Sequence, residues 1–243
     1  MSSNTASFKL PAGFLPLFLL LLATAALRPL EHRLTAPSIQ LVELNGLGGS
    51  GLLGVLGGMR SAVASGLWLR ANEAWERQDA AGTPALLQLT VAADERPLYF
   101  WINGARMLAY DIPTWGAAAD QPEVVRRKAA AAGAAAAQVF LEAGLRAHPQ
   151  SAELLVELGN IQLRAGGDRA AAAAWFRRAA EQPDAPYYAA RIHGELLREL
   201  GRPAEALAWL RKILPGLPAD DPAARRGVVE QRIKALEAEL GEK

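Results

Sequence analysis

Three histidines, His32, His148 and His193, are the only imidazoles in this 243-residue chain. None stands at the H-x3-H or H-E-x-x-H spacing that puts two ligands on one helix face to grip a metal ion. His193 falls on the inner side of a helical segment, where a hydrogen-bonded packing histidine is expected. Cysteine is absent, which excludes disulfides, thiolate nucleophiles and Cys-ligated zinc. Neither a G-x-S-x-G nucleophile turn nor a G-x-x-x-x-G-K-[ST] phosphate loop occurs. One stretch does match a chemical motif. Gly46-Leu-Gly48-Gly-Ser-Gly51 fits G-x-G-x-x-G, and Ile39-Gln-Leu-Val-Glu-Leu44 before it could be a strand. Such glycines let a pyrophosphate approach a helix N-terminus. The motif requires a parallel sheet and an acidic residue after a second strand to hold a ribose. The remainder of the chain reads as helix, so 46–58 is expected to be a connector. The expectation is therefore a protein that is not an enzyme and holds no cofactor and no metal.

Lys and Arg number 26 against 25 Asp and Glu. That near balance leaves no field to attract nucleic acid. Half the residues are apolar, which argues for a folded core. The excess of Arg, Ala, Leu and Gly is the habit of a GC-rich bacterial genome. Residues 11–27 carry no charge and include Phe14, Leu15, Leu17, Phe18 and Leu19–Leu22. As a helix they rise roughly 26 Å, at the short limit for a bilayer core. Three readings are weighed: an uncleaved signal anchor, a secretory signal cut near Ala23-Thr24-Ala25, and a buried helix of a soluble domain, which needs a partner surface that nothing in the sequence suggests. Lys9 on one side is balanced by Arg28 and Arg33 on the other. The export-like leader places the bulk of the chain on the periplasmic side of a bacterial inner membrane. The organisation expected is a polar tail (1–10), the anchor or leader (11–27), a Gly-rich connector (28–58) and a helical domain (59–243).

From residue 59 onward the apolar pattern is helix, turn, helix. Helices are predicted over 60–77, 83–93 and 123–147, with Tyr110-Asp-Ile-Pro-Thr-Trp-Gly116 as an insertion. A shift of 34 residues lays Gly167 on Gly201, Ala172 on Ala206, Trp175 on Trp209, Phe176 on Leu210 and Arg177 on Arg211. A glycine that ends one helix in a left-handed conformation permits a sharp reversal. A small residue then lets the return helix come close, and large residues further on fill the space against the next unit. Asp221-Pro222 is expected to start a last helix with an apolar stripe of Val228, Val229, Ile233, Leu236 and Leu240, closing the stack.

This pattern resembles the tetratricopeptide repeat. In the clearest unit, Leu155, Leu158, Gly159 and Gln162 match the first helix, Ala172 and Phe176 the second, and Pro183 the close. Gly166-Gly167 carries one extra residue at the turn. The next unit matches at Ala190, His193, Gly194 and Leu197, then at Ala206 and Leu210. Trp101, Ala105 and Leu108 carry the spacing in a divergent upstream unit. Leu56-Gly-Gly-Met-Arg60 with Trp68-Leu-Arg70 is similar to a signature of membrane-anchored bacterial repeat proteins, and brings no function with it.

The resemblance implies an all-α, TPR-like solenoid of helical hairpins whose first helices line a peptide-binding groove. Carried over residue by residue, the groove positions are Glu153, Val156, Asn160 and Arg164 in one unit, and Tyr188, Arg191, Glu195 and Arg198 in the next. Val156 stands where a carboxylate-gripping set has a basic residue. Asn160, Arg164, Tyr188, Arg191, Glu195 and Arg198 are the expected partner contacts, and Trp115 in the insertion is a seventh. The function expected is a membrane-anchored scaffold that binds a protein or peptide. The alternatives are a structural subunit of a larger envelope complex and a nucleotide-linked enzyme built on 46–51.

Overall fold

The computed structural model describes residues 60–115 and 121–241, and all the described elements are helical, with no strand among them. The runs 11–27 and 46–58, with the anchor and connector expected there, lie outside the described residues. No described helix is long and apolar enough to cross a membrane. The helices are α1 (Arg60–Glu76), α2 (Gly82–Ala93), α3 (Leu98–Arg106), the short α4 (Ile112–Trp115), α5 (Glu123–Ala147), α6 (Ala152–Ile161), α7 (Arg169–Ala180), α8 (Tyr187–Glu199), α9 (Pro203–Ile213) and α10 (Arg226–Leu240). The predicted helices 60–77, 83–93 and 123–147 agree with α1, α2 and α5 to within a residue.

Their ends follow from local chemistry. Ser151 Oγ accepts from the Leu154 amide at 3.3 Å and starts α6, and Asp168 Oδ1 accepts from Ala171 at 2.9 Å and starts α7. Pro203 opens α9, where a missing N–H costs nothing. Gly167 and Gly201 both take the left-handed conformation, φ 69° and 72°, so the 34-residue match marks two equivalent reversals. The extra residue before Gly167 is absorbed by a π-helical turn, Gln162–Gly166, the usual form of a one-residue insertion in a helix. That is why the close-packing glycines Gly159 and Gly194 stand 35 apart while the turn glycines stand 34 apart.

Neighbouring helices pack on one another, except that α3, the turn Met107–Asp111 and α4 follow as one helical run whose two ends both pack on α5. Ser61 at the start of α1 donates to Asp94 at the end of α2 (2.7 Å), and Arg96 holds the same carboxylate through Nε and Nη2, both at 2.8 Å. Asp94 is buried. The Arg96 guanidinium holds its pKa far below the usual carboxylate range, against the opposing effect of burial. In α6 and α7, a Cβ on Gly159 would meet the Phe176 ring at 2.8 Å, so glycine sets how close the two helices lie. Gly194 stands in the same relation to Leu210, at 2.9 Å. Leu155, Ala172, Phe176 and Leu196 belong to one buried cluster; Leu207, Leu210, Val229 and Leu236 belong to the next.

Two expectations need correction. The insertion is helical: Met107–Asp111 forms a π-turn that runs into α4. Pro113 lies early in α4, and a Cβ on Gly133 of α5 would meet it at 2.4 Å. Glycine there gives α5 room for the proline. The last helix starts at Arg226, four residues later than predicted. Asp221 caps only a single 3-10 turn, Pro222–Ala224, through the Ala223 amide. Arg225 then takes a left-handed conformation (φ 46°) and breaks the chain direction before α10. Within α10 the buried stripe is Val229, Ile233 and Leu236, and Val228 faces out at 52 % exposure.

Candidate partner-binding face

The groove positions fall on α6, the π-turn after it, and α8. Along α6, Glu153 is exposed, Val156 is buried in the core and Asn160 is half-buried. Arg164 projects from the π-turn and is exposed. Among the described residues neither the Asn160 amide nor the Arg164 guanidinium has a hydrogen-bond or ion-pair partner. Arg164 is near enough to Tyr110 to favour its phenolate, although burial dominates and, with the Glu157 charge, pushes the Tyr110 pKa above its ordinary value.

On α8 the picture differs. Tyr188 is exposed. Arg191 turns its Nη1 onto the carbonyls of Ala223 (3.1 Å) and Ala224 (2.9 Å). Those carbonyls end the 3-10 turn and have few other donors. Burial, then the positive charge of Arg225, lowers the pKa of Arg191. Arg198 grips Glu195 through Nε (3.1 Å) and Nη2 (2.5 Å), and Glu195 also meets Arg232 of α10 at 3.1 Å. Three of the four α8 positions are thus committed within the chain. Trp115 sits apart from these residues, half-buried at the end of α4, which packs against α5.

One pair escaped the reading of the sequence. Glu157, inside α6, is 4 % exposed, and Arg106 of α3 meets both its oxygens, at 2.9 and 2.8 Å. This charge-assisted fork ties α3 to α6, and the Glu157 bond raises the Arg106 pKa above its ordinary value. A signal existed: Glu157 interrupts Leu154-Leu-Val and Leu158, where a charge at a buried position needs a partner. Its partner lies 51 residues away and has no local mark.

His193 is buried as expected, with Nδ1 2.8 Å from the Ala173 carbonyl and the ring edge-on to Trp209 at 4.7 Å. The carbonyl can only accept, so that nitrogen carries the proton. Burial lowers the pKa of His193, against the pull of this bond. No group of three or more His, Asp or Glu is placed to hold a metal ion among the described residues. What the face offers is recognition chemistry: an amide, a guanidinium and a phenol. No family model, curated protein or solved structure matches the chain.

Proposed function

We propose that the protein is a membrane-anchored adaptor whose described helices form a TPR-like solenoid and bind a protein or peptide partner along the first helices of its hairpins. The supporting observation is the contrast in side-chain commitments: Asn160 and Arg164 follow one another along the α6 face with no partner of their own. Tyr188 opens α8 as an exposed aromatic ring. An amide beside a guanidinium suits a peptide backbone and its carbonyls or carboxylates, and a tyrosine supplies apolar area at low entropy cost. Paired hairpins, left-handed glycines 34 residues apart and the glycine-to-large-residue contacts support the solenoid reading. The uncharged run 11–27 supports an anchor in a bacterial inner membrane, with the helices on the periplasmic side.

The test is crosslinking of the tagged full-length chain in its native cell, followed by detergent extraction and mass spectrometry. One or a few near-stoichiometric membrane-associated proteins are expected. The triple variant Asn160→Ala, Arg164→Ala, Tyr188→Ala should lose them while unfolding like the parent. Undiminished recovery by that variant overturns the assigned face.

A further inference from the structure

The helix α5 has a surface that the groove does not use. It runs 25 residues, about 37 Å at the usual rise, whereas α6 to α9 have 10 to 13. Val125, Ala129, Ala132, Ala136, Val139 and Ala143 follow one another at alternating spacings of four and three, the period of a helix–helix seam. None of them is buried: Val125 is 43 % and Val139 47 % exposed, and Val124 beside them is 75 % exposed. Valine is a poor choice for a helix surface that only meets water, because its branched Cβ loses rotamer freedom and it buries nothing there.

The charges beside this stripe supply a register. Lys128 and Glu142 flank it on the same side, 14 residues or two heptads apart, with Ala135 midway. Glu142 accepts from Gln138 Nε2 at 2.8 Å, and Gln138 accepts from Gln162 at 2.6 Å, so a relay from the π-turn holds this carboxylate in place. Lys128 is exposed and makes no ion pair among the described residues. Laid antiparallel on itself, α5 sets Val125 against Ala143, Ala129 against Val139 and Ala132 against Ala136. In that register the Lys128 ammonium meets the second copy's Glu142, and two-fold symmetry makes the pair twice. A parallel arrangement would instead set Lys128 opposite Gly133 and Glu142 opposite Ala147, leaving both charges without a counterpart. A basic or acidic partner would satisfy only one of the two charges.

We infer that the exposed face of α5 is a self-association surface, on which two copies of this chain pair antiparallel about Ala135. A single helix seam lies at the small end of specific interfaces, on the order of 1,000 Å² in total. The dimer is accordingly weak, and a shared membrane would raise its effective concentration.

The absence of cysteine gives a clean background for the test. Ala135→Cys, placed on the symmetry axis, is made in the full-length chain and treated in expressing cells with a short bis-maleimide; Ala204→Cys, exposed on α9, is the reference. A covalent homodimer is expected from Ala135→Cys at a rate at least ~10-fold above the reference, and Lys128→Glu should lower that rate by about the same factor. The exchanged variant Lys128→Glu, Glu142→Lys should restore it, which separates charge pairing from loss of folding. Equal rates at both cysteines, or an unaltered rate in Lys128→Glu, overturns the proposal. So does capture of the introduced thiol by a different protein, or its shielding by residues 1–59 of the same chain in a monomer.

Discussion

The hairpin α6–α7 and the hairpin α8–α9 are two copies of one plan, and they differ in where their charges go. Both close on a left-handed glycine, and both bring a glycine of the first helix against a large residue of the second. In α6–α7 the charge that joins the hairpin to the helices before it is hidden: Glu157 lies inside, held by Arg106 of α3, and the outer positions Asn160 and Arg164 stay unengaged. In α8–α9 the joining charges lie at the surface, where Arg191 holds the turn before α10 and Glu195 bridges Arg198 and Arg232. A repeat position therefore does not carry a fixed role. Of the arginines at these repeated positions, Arg191 and Arg198 are engaged within the chain, and Arg164 has no hydrogen-bond or ion-pair partner among the described residues.

The largest expected effect probes what the two copies share. Phe176→Ala opens a cavity at a fully buried ring and should lower stability by about 3–5 kcal/mol, and Leu210→Ala should lower it by about 2–4 kcal/mol at the equivalent contact. Urea unfolding of both variants checks the order. Next comes the contrast in charges. Arg106→Ala leaves the Glu157 carboxylate buried and unpaired, and should cost about 2–3 kcal/mol; half of the guanidinium is already in water, which keeps the loss below that of a fully buried pair. Arg198→Ala should leave the unfolding midpoint unchanged, because Glu195 keeps Arg232 and is partly solvated. Equal losses from the two variants would erase the distinction between hidden and surface joints.

A smaller effect sharpens the division between holding the fold and holding a partner. Arg191→Ala strips two carbonyls of their donor and should cost about 1–2 kcal/mol by urea unfolding, while Arg164→Ala should stay within about 0.5 kcal/mol. The smallest effect is a pH dependence confined to α8. His193 has a folded pKa below the ordinary value of 6.5, so protons bind the unfolded chain more readily. The stability it contributes is fully present above about pH 6.5 and is lost as pH falls below that value. The decline in unfolding free energy between about pH 7 and pH 5 should be shallower in His193→Gln than in the parent chain. An identical slope would show that His193 does not titrate in that window. Asp94, held far more acidic by Arg96, contributes its loss only in strong acid.

Much of the helical frame was legible in the order of residues. The extent of α5, the two reversal glycines and the burial of His193 follow from hydrophobic period, from the left-handed preference of glycine and from the cost of an unpaired imidazole. These are local causes, acting over one or two helical turns. The late start of α10 was not legible, because Asp221-Pro222 is a sound local cap and only the left-handed Arg225 shows that it caps a turn. Nor was the helical form of 107–115, where a π-turn and a glycine on α5 together admit Pro113. The commitments of the arginines were the least legible. Periodicity placed Arg164, Arg191 and Arg198 at equivalent positions, and nothing in their spacing distinguishes them. A guanidinium reaches several ångströms, and its partner is set by whichever carbonyl or carboxylate the packing brings near: the carbonyls of 223–224 for Arg191, Glu195 for Arg198. The sequence alone determined where helices form and where the chain reverses, since those depend on neighbours a few residues away. Tertiary structure decided which charges close the fold and which stay unengaged within it, since that depends on groups tens of residues apart meeting in space.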